Sequence, residues 1–183
     1  MIAQDVILVT ENDEPIGTME KMEAHRQGVL HRAFSIFIFN GSGDMLVQKR
    51  AREKYHGAGL WSNACCSHPY PNETIETAAA RRLQEELGFS TNLEKAFEFT
   101  YRAPVENSLT EHEYDHVFCG EYENEMDFNK QEVEDVAFIN MPDLEAAIER
   151  QPGNFTTWFR IVFPQVKDWW KKKQVSEKQK HAA

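Results

Sequence analysis

Short runs of alternating or continuous apolar residues, separated by turn-forming residues, recur along the first fifty positions and predict strands. DVILVT (5–10), AFSIFIF (33–39) and MLVQKR (45–50) carry this pattern. Between the last two, NGSGD supplies the Gly and Asn that a hairpin turn needs. The period then changes. IETAAARRLQEEL (75–87) reads as a helix, with Thr74 or Asn72 as its cap, Ala78 to Ala80 favouring it, and Gly88 where a left-handed terminating residue belongs. KAFEFTYRA (95–103), EHEYDHVFCGEY (111–122) and DVAFIN (135–140) return to strand character. A helix opened by Pro142 follows, then the aromatic segment FTTWFRIVFPQVKDWWKKK (155–173), which Pro164 is expected to kink or interrupt. Mixed strands followed by helices predict an α+β or α/β architecture. From about residue 171 the chain is Lys-rich and polar, which predicts a frayed, solvated tail.

Composition narrows the possibilities. A chain of 183 residues with 41% hydrophobic residues and 12 Phe fits one domain, spanning residues 1–183, around one sizeable core. A formal net charge of −10 argues against DNA, RNA or anionic lipid as a partner, because such binding rests on clustered Lys and Arg. Any phosphate ligand must therefore be held by a local concentration of cations. No run approaches the ~18 apolar residues of a membrane span. MIAQDVILVTE has no basic leader and carries Asp5 in its apolar stretch, so the expected location is the cytoplasm. Three cysteines, two of them adjacent, suit a reducing compartment better than a disulfide framework.

Candidate chemistry begins at LWSNACCSHP (60–69). Cys66 and His68 are two apart, so on an extended backbone both leave by one face and can share a pocket. In TEHEYDHVF, Glu111, Glu113 and Asp115 alternate with His112, Tyr114 and His116, which puts three acids on one face of a strand. Acids at i and i+2 lie ~7 Å apart at Cα, near enough to reach one cation and near enough to repel. Spacing alone favours an exposed edge strand with its charges in water. His25 and His31, six apart, match no local zinc motif. A site mixing several imidazoles with Glu would select a borderline transition ion, with ligands from remote segments. On the helix, Arg81, Arg82, Glu85 and Glu86 read either as surface ion pairs or as Glu86 for a metal beside Arg82 for a phosphate.

From Ser67 the chain reads SHPYPNETIETAAARRLQEELGF, which resembles the Nudix box. Glu73, Arg81, Leu83, Glu85, Glu86, Gly88 and Phe89 fall on its spacing, whereas Ser67 replaces a Gly and Arg82 replaces an acid that hydrolytic members use for metal. An Arg at that position is the mark of the type I isopentenyl-diphosphate delta-isomerases, and the chain resembles that family over about residues 5–165. MEK (19–21), HRAFS (31–35), KRAREK (49–54), LWSNACCSHP, FTYRA and TEHE carry the likeness in the right order. The resemblance implies a single-domain α+β fold, an α/β/α sandwich around a mixed sheet.

It also implies a set of roles. Cys66 is the expected catalytic thiol, with Cys65 a buried neighbour, and Glu113 and Tyr101 complete the catalytic group. His25, His31, His68, Glu111 and Glu113 are the expected ligands of a tightly held Mn²⁺ or Zn²⁺. Glu86 is the expected ligand of a Mg²⁺ that arrives with the substrate diphosphate. Lys21, Arg50, Lys54 and Arg82 are expected to clamp that diphosphate, and Trp158 to face the hydrocarbon. The substrate would be a small homoallylic or allylic diphosphate, and the protein a monomer or homodimer. His112 replaces the usual Asn between the two acids and should face away from the ion. The alternatives are a Nudix pyrophosphohydrolase, which Arg82 disfavours, and a catalytically silent Nudix-fold binding module.

Overall fold

The computed structural model describes residues 5–181, with side chains described except at 177, 178, 180 and 181. Strands β1 (Asp5–Val9) and β2 (Pro15–Glu20) form an antiparallel ribbon that leads into helix α1 (Lys21–Gln27). The sequence pattern did not signal this helix. Its start is held by the Glu20 carboxylate, which accepts from the backbone N–H groups of Met22 and Glu23 at 3.0 and 2.9 Å. One turn of helix then puts Lys21 and His25 on one face.

Strand β3 (His31–Phe39) is the hub of the sheet. Along one edge it pairs in parallel with β8 (Leu109–Glu121), from His31↔Glu113 to Phe39↔Glu121. Along the other edge it is handed from β1 at His31, to β6 (Cys65–Ser67) at residues 34–36, to β4 (Met45–Arg50) at Phe39. The expected turn at 40–44 is present, with Asn40 Oδ1 accepting from the N–H groups of Ser42 and Asp44. The two strands it joins nevertheless part at once, because β4 runs antiparallel to β9 (Val133–Ile139) and also touches β5 (Trp61–Ser62). Strand β7 (Leu93–Val105) pairs with the far side of β8. The segment holding the three acids is therefore an interior strand with Glu111, Glu113 and Asp115 all buried, not the exposed edge that spacing favours.

Strand alternation divides the interior into two layers. Phe34, Ile36 and Ile38 of β3 pack with Cys65 and with Ala78, Ala79, Leu83 and Leu87 of helix α2 (Ile75–Leu87). Thr74 caps α2 and Gly88 closes it at φ 76°. Phe37 and Phe39 face the other way, into a layer covered by α4 (Thr157–His181), where Trp170 stacks on Phe39 at 3.8 Å. Helix α3 (Met141–Arg150) is capped by Asn140, with Pro142 in its first turn as expected. Two expectations for the C-terminal region change. Pro164 lies inside α4 without interrupting it, and the helix continues through the Lys-rich segment to His181; residues 182 and 183 lie outside the described residues. The apolar face carried by Trp158, Phe159, Val162, Phe163, Val166 and Trp170 supplies the packing that sustains helix on both sides of the proline. The result is an α+β sandwich with helices on both faces of a mixed sheet.

Candidate active site

The layer under α4 changes character along its length. On β3 the inward face runs from Phe39 and Phe37 to Ser35 and His31, and on β8 from Cys119 and Val117 to Asp115, Glu113 and Glu111. The polar end of β8, beside that of β3, floors a cleft of about 540 Å³, and α1, the 50–56 segment, β6, α2, β7, residues 131–132 and α4 supply its walls.

Four buried donors converge at its base. One oxygen of Glu113 lies 3.1 Å from His68 Nε2, 3.6 Å from His31 Nε2 and 4.0 Å from His25 Nε2. The tautomers of two rings follow from their other nitrogens. His25 Nδ1–H donates to the Lys21 carbonyl at 2.7 Å and His31 Nδ1–H to the Val29 carbonyl at 2.8 Å. Both therefore turn Nε2 toward the cluster, and His25 Nε2 has no hydrogen-bond partner. Burial holds His68 and His25 below the usual imidazole range, His68 down to about 3, so both rings are neutral at pH 7. Backbone-anchored imidazoles with a carboxylate are the donor set of a divalent transition ion, and four ligand atoms within 4.8 Å of one another fit one.

The acids show the same need for a cation. Tyr101 Oη lies 2.7 Å from Glu113 Oε2 and 3.0 Å from Glu111 Oε2, and its single proton can serve only one of them. Burial, reinforced by the Glu113 charge, pushes Glu111 well above the usual carboxylate range. Burial acts on Glu113 too, but the His31 and His68 rings close beside it outweigh burial and hold Glu113 well below that range. Glu111 joins His25 in a second convergent group whose third member is His56.

Across the cleft, alternation on β6 sends Cys65 into the α2 layer and Cys66 into the site, which answers what two adjacent thiols do. Asn63 Nδ2 donates to the carbonyls of Ile36 and Cys65, leaving Oδ1 to accept from Cys66 Sγ at 3.0 Å. The Ser35 hydroxyl, 3.4 Å from the same sulfur, donates to Asp115 at 2.7 Å. Burial first, then Asp115, pushes the Cys66 thiol up, so it is protonated at neutral pH.

The four expected clamp cations all line the cleft. Arg50 donates to the His56 carbonyl at 2.9 Å and lies 5.0 Å from the Trp158 ring centre. Lys54 pairs with Glu132; Arg82 pairs with Glu85, Glu86 and Glu132. Burial, with Arg82 and Arg50 nearby, lowers the Lys21 ammonium pKa. Glu86 is buried beside the cleft, where it accepts from Gln48 at 3.2 Å. Trp158 closes the wall over Gly57, whose φ of 59° and closeness to Arg50 and Trp158 leave little room for a side chain. Every expected site residue thus lies in or against one cleft. His112 points away, bonding the Gly28 carbonyl at 3.0 Å. Sequence reasoning missed His56, Glu132, Ser35 and Asn63, each of which meets a partner remote in the chain: Glu111 for His56, Lys54 and Arg82 for Glu132, Asp115 for Ser35 and Ile36 for Asn63.

Comparison with known proteins identifies the family. Residues 29–159 match the NUDIX domain family. The chain is 48% identical over 157 residues to isopentenyl-diphosphate Delta-isomerase 2 of Photorhabdus laumondii subsp. laumondii, covering 86% of this chain and 89% of that protein. It is 45% identical over 166 residues to the isopentenyl-diphosphate Delta-isomerase of Pectobacterium atrosepticum, covering 91% and 93%. The crystal structure of DR0079 from Deinococcus radiodurans shares the fold, with a TM-score of 0.68 at 20% identity over 80% of this chain and 90% of that one.

Proposed function

The chain belongs to the NUDIX domain family and, within it, to the isopentenyl-diphosphate delta-isomerases, and from that membership we propose how its cleft converts isopentenyl diphosphate to dimethylallyl diphosphate. The reaction adds a proton at the terminal methylene and removes one from C2, moving the double bond by one carbon. Protonation of an unactivated alkene creates a tertiary cation that water would trap, so the reaction needs a dry cavity with an acid and a base on opposite sides of a flat chain. Cys66 and the Glu113–Tyr101 pair are that acid and base. The observation that carries this reading is their placement in one buried cleft, with a cationic rim for the diphosphate and an indole wall for the hydrocarbon.

Lys21, Arg50, Lys54 and Arg82 hold the diphosphate, with Glu86 as the ligand for the Mg²⁺ that accompanies it. His25, His31, His68, Glu111 and Glu113 hold a Mn²⁺ or Zn²⁺. When bound, that ion supplies positive charge that relieves the repulsion between the two acids and makes the tyrosine hydroxyl a stronger acid. Trp158 over the developing cation contributes ~0.5–2 kcal/mol, well short of the ~8 kcal/mol or more of an enzymic acceleration. Most of the remainder comes from positioning and from the fixed sulfur and carboxylate in a low-dielectric cavity. The reaction is reversible, so each partner both gives and takes a proton. The protein works in the cytoplasm as a monomer or homodimer; its three free cysteines support that location.

Incubation with isopentenyl diphosphate and Mg²⁺ in D₂O, followed by NMR, tests the reading. Dimethylallyl diphosphate carrying deuterium is the expected product. Released inorganic phosphate or pyrophosphate would make the protein a hydrolase, and unchanged substrate a binding module.

A further inference from the structure

His56 has no part in the roles assigned above, yet it lines the cleft on a fixed segment. Its segment is pinned by three backbone bonds: Asn107 donates to the Tyr55 carbonyl at 2.7 Å, Arg50 donates to the His56 carbonyl at 2.9 Å, and the Gly57 N–H donates to Glu106 at 3.1 Å. The imidazole is 7% exposed and packs edge-on against Tyr55 at 4.3 Å and Trp158 at 5.3 Å. A buried histidine kept only for packing would have its ring nitrogens satisfied. Here Nδ1 has no partner, and Nε2 stands 3.6 Å from Glu111 Oε1, too far for a hydrogen bond.

That separation is short for unrelated groups and suits donors to a common centre, since ligands held at ~2.0–2.2 Å from one ion stand roughly 3 to 4.4 Å apart. The ligand atoms of His25, His56 and Glu111 lie within 4.8 Å of one another, as do those of His25, His31, His68 and Glu113. The two groups share His25, whose Nε2 is also without a hydrogen-bond partner. Glu111 falls with His56 and outside the tighter group, so the acid expected to complete the ion's shell is accompanied by a fourth imidazole.

We propose that His56 is a donor to the divalent ion, entering beside Glu111 and raising the nitrogen ligands from three to four. This rests on the ion site proposed above and extends it to a six-donor set of four imidazoles and two carboxylates. Six donors suit an octahedral ion such as Mn²⁺ or Fe²⁺ better than tetrahedral Zn²⁺. His56 also ties the ion to the hydrocarbon wall, because its ring meets Trp158.

The test is a count of ligands that needs no turnover. Metal-stripped full-length protein is loaded with Mn²⁺ alone, and its imidazole nitrogen couplings are counted by pulsed electron paramagnetic resonance, beside His56→Ala and the bulkier His56→Gln. Four nitrogens in the native protein and three in each variant are expected, with Mn²⁺ dissociation constants raised at least ~10-fold and melting of the metal-stripped proteins little changed. Three nitrogens in native protein and variants alike would overturn the proposal for His56 while leaving the ion site intact. No imidazole coupling in the native protein would overturn the site itself. Should His56→Ala fail to fold, the His56→Gln count decides.

Discussion

Cys65 and Cys66 leave their strand by opposite faces, so two identical side chains enter different surroundings. Cys66→Ala should abolish isomerisation, read as loss of deuterium incorporation, with an unchanged circular dichroism spectrum. Cys65→Ala should keep most of the rate and lose ~1 kcal/mol of stability from the small cavity left against α2. The reverse pairing would mean that Cys65, not Cys66, serves the reaction. Acid–base state is equally local. In ion-free protein burial and the Glu113 charge raise Glu111 well above the usual carboxylate range, so it keeps a proton to higher pH than a free carboxylate, whereas burial lowers His25 and His68 and leaves them neutral at pH 7. An arriving cation must displace the Glu111 proton and none from these two rings. Titrating Mn²⁺ into stripped protein in weak buffer should therefore release protons, in an amount that falls as pH rises. Proton uptake, or no change, would contradict that protonation state. The thiol, the box residues and the alternating acids are legible in the sequence because each belongs to a short motif or a two-residue period. His56 is not, because nothing in KYHG distinguishes a ligand from a loop histidine until residues 111 and 158 arrive from elsewhere.

Helix α2 is the element whose ends the sequence marks most completely. Thr74 accepts from the Thr77 N–H at 3.2 Å, and Gly88 ends the helix in the left-handed region. Arg81 grips Glu73 through two bonds of 2.7 Å, tying the loop after β6 to the helix that carries Arg82 and Glu86. A Cβ at position 88 would collide with the Asp127 backbone, on top of the ~1–2 kcal/mol cost of a left-handed non-Gly residue. Gly88→Ala should thus lower the urea midpoint by an amount corresponding to more than ~1 kcal/mol; an unchanged midpoint would mean that the 127 segment moves aside freely. Helix α1 is the counterexample. Seven residues leave too little periodicity to recognise, and its N-cap is a Glu, outside the usual set. Pro164 shows the opposite failure, since a proline that would break an isolated helix is overruled by aromatic packing on α4.

For the molecule as a whole, the puzzle is how a chain of net charge −10 attracts a polyanion. The four cations gathered in one cleft are the answer proposed above, and Glu132 touches two of them, Lys54 and Arg82. Such a clamp acts at contact and has no long-range basic field behind it. Raising salt from about 50 to about 300 mM should therefore change kcat/KM by less than ~3-fold, whereas Arg82→Gln should raise KM by ~10-fold or more. A steep fall with salt would point to steering from outside the cleft. The parallel β3–β8 pairing that assembles the floor is the part of the architecture least readable from sequence. Its partners are about eighty residues apart, and the local pattern at 40–44 points β3 toward β4 instead.

On β3, His31 and Ser35 share an uninterrupted inward face with Phe37 and Phe39. Chemistry mounted on such a girder has no hinge of its own. Amide protons along residues 33–38 should rank among the slowest to exchange with solvent, and thermal inactivation should coincide with collapse of the entire fold instead of preceding it.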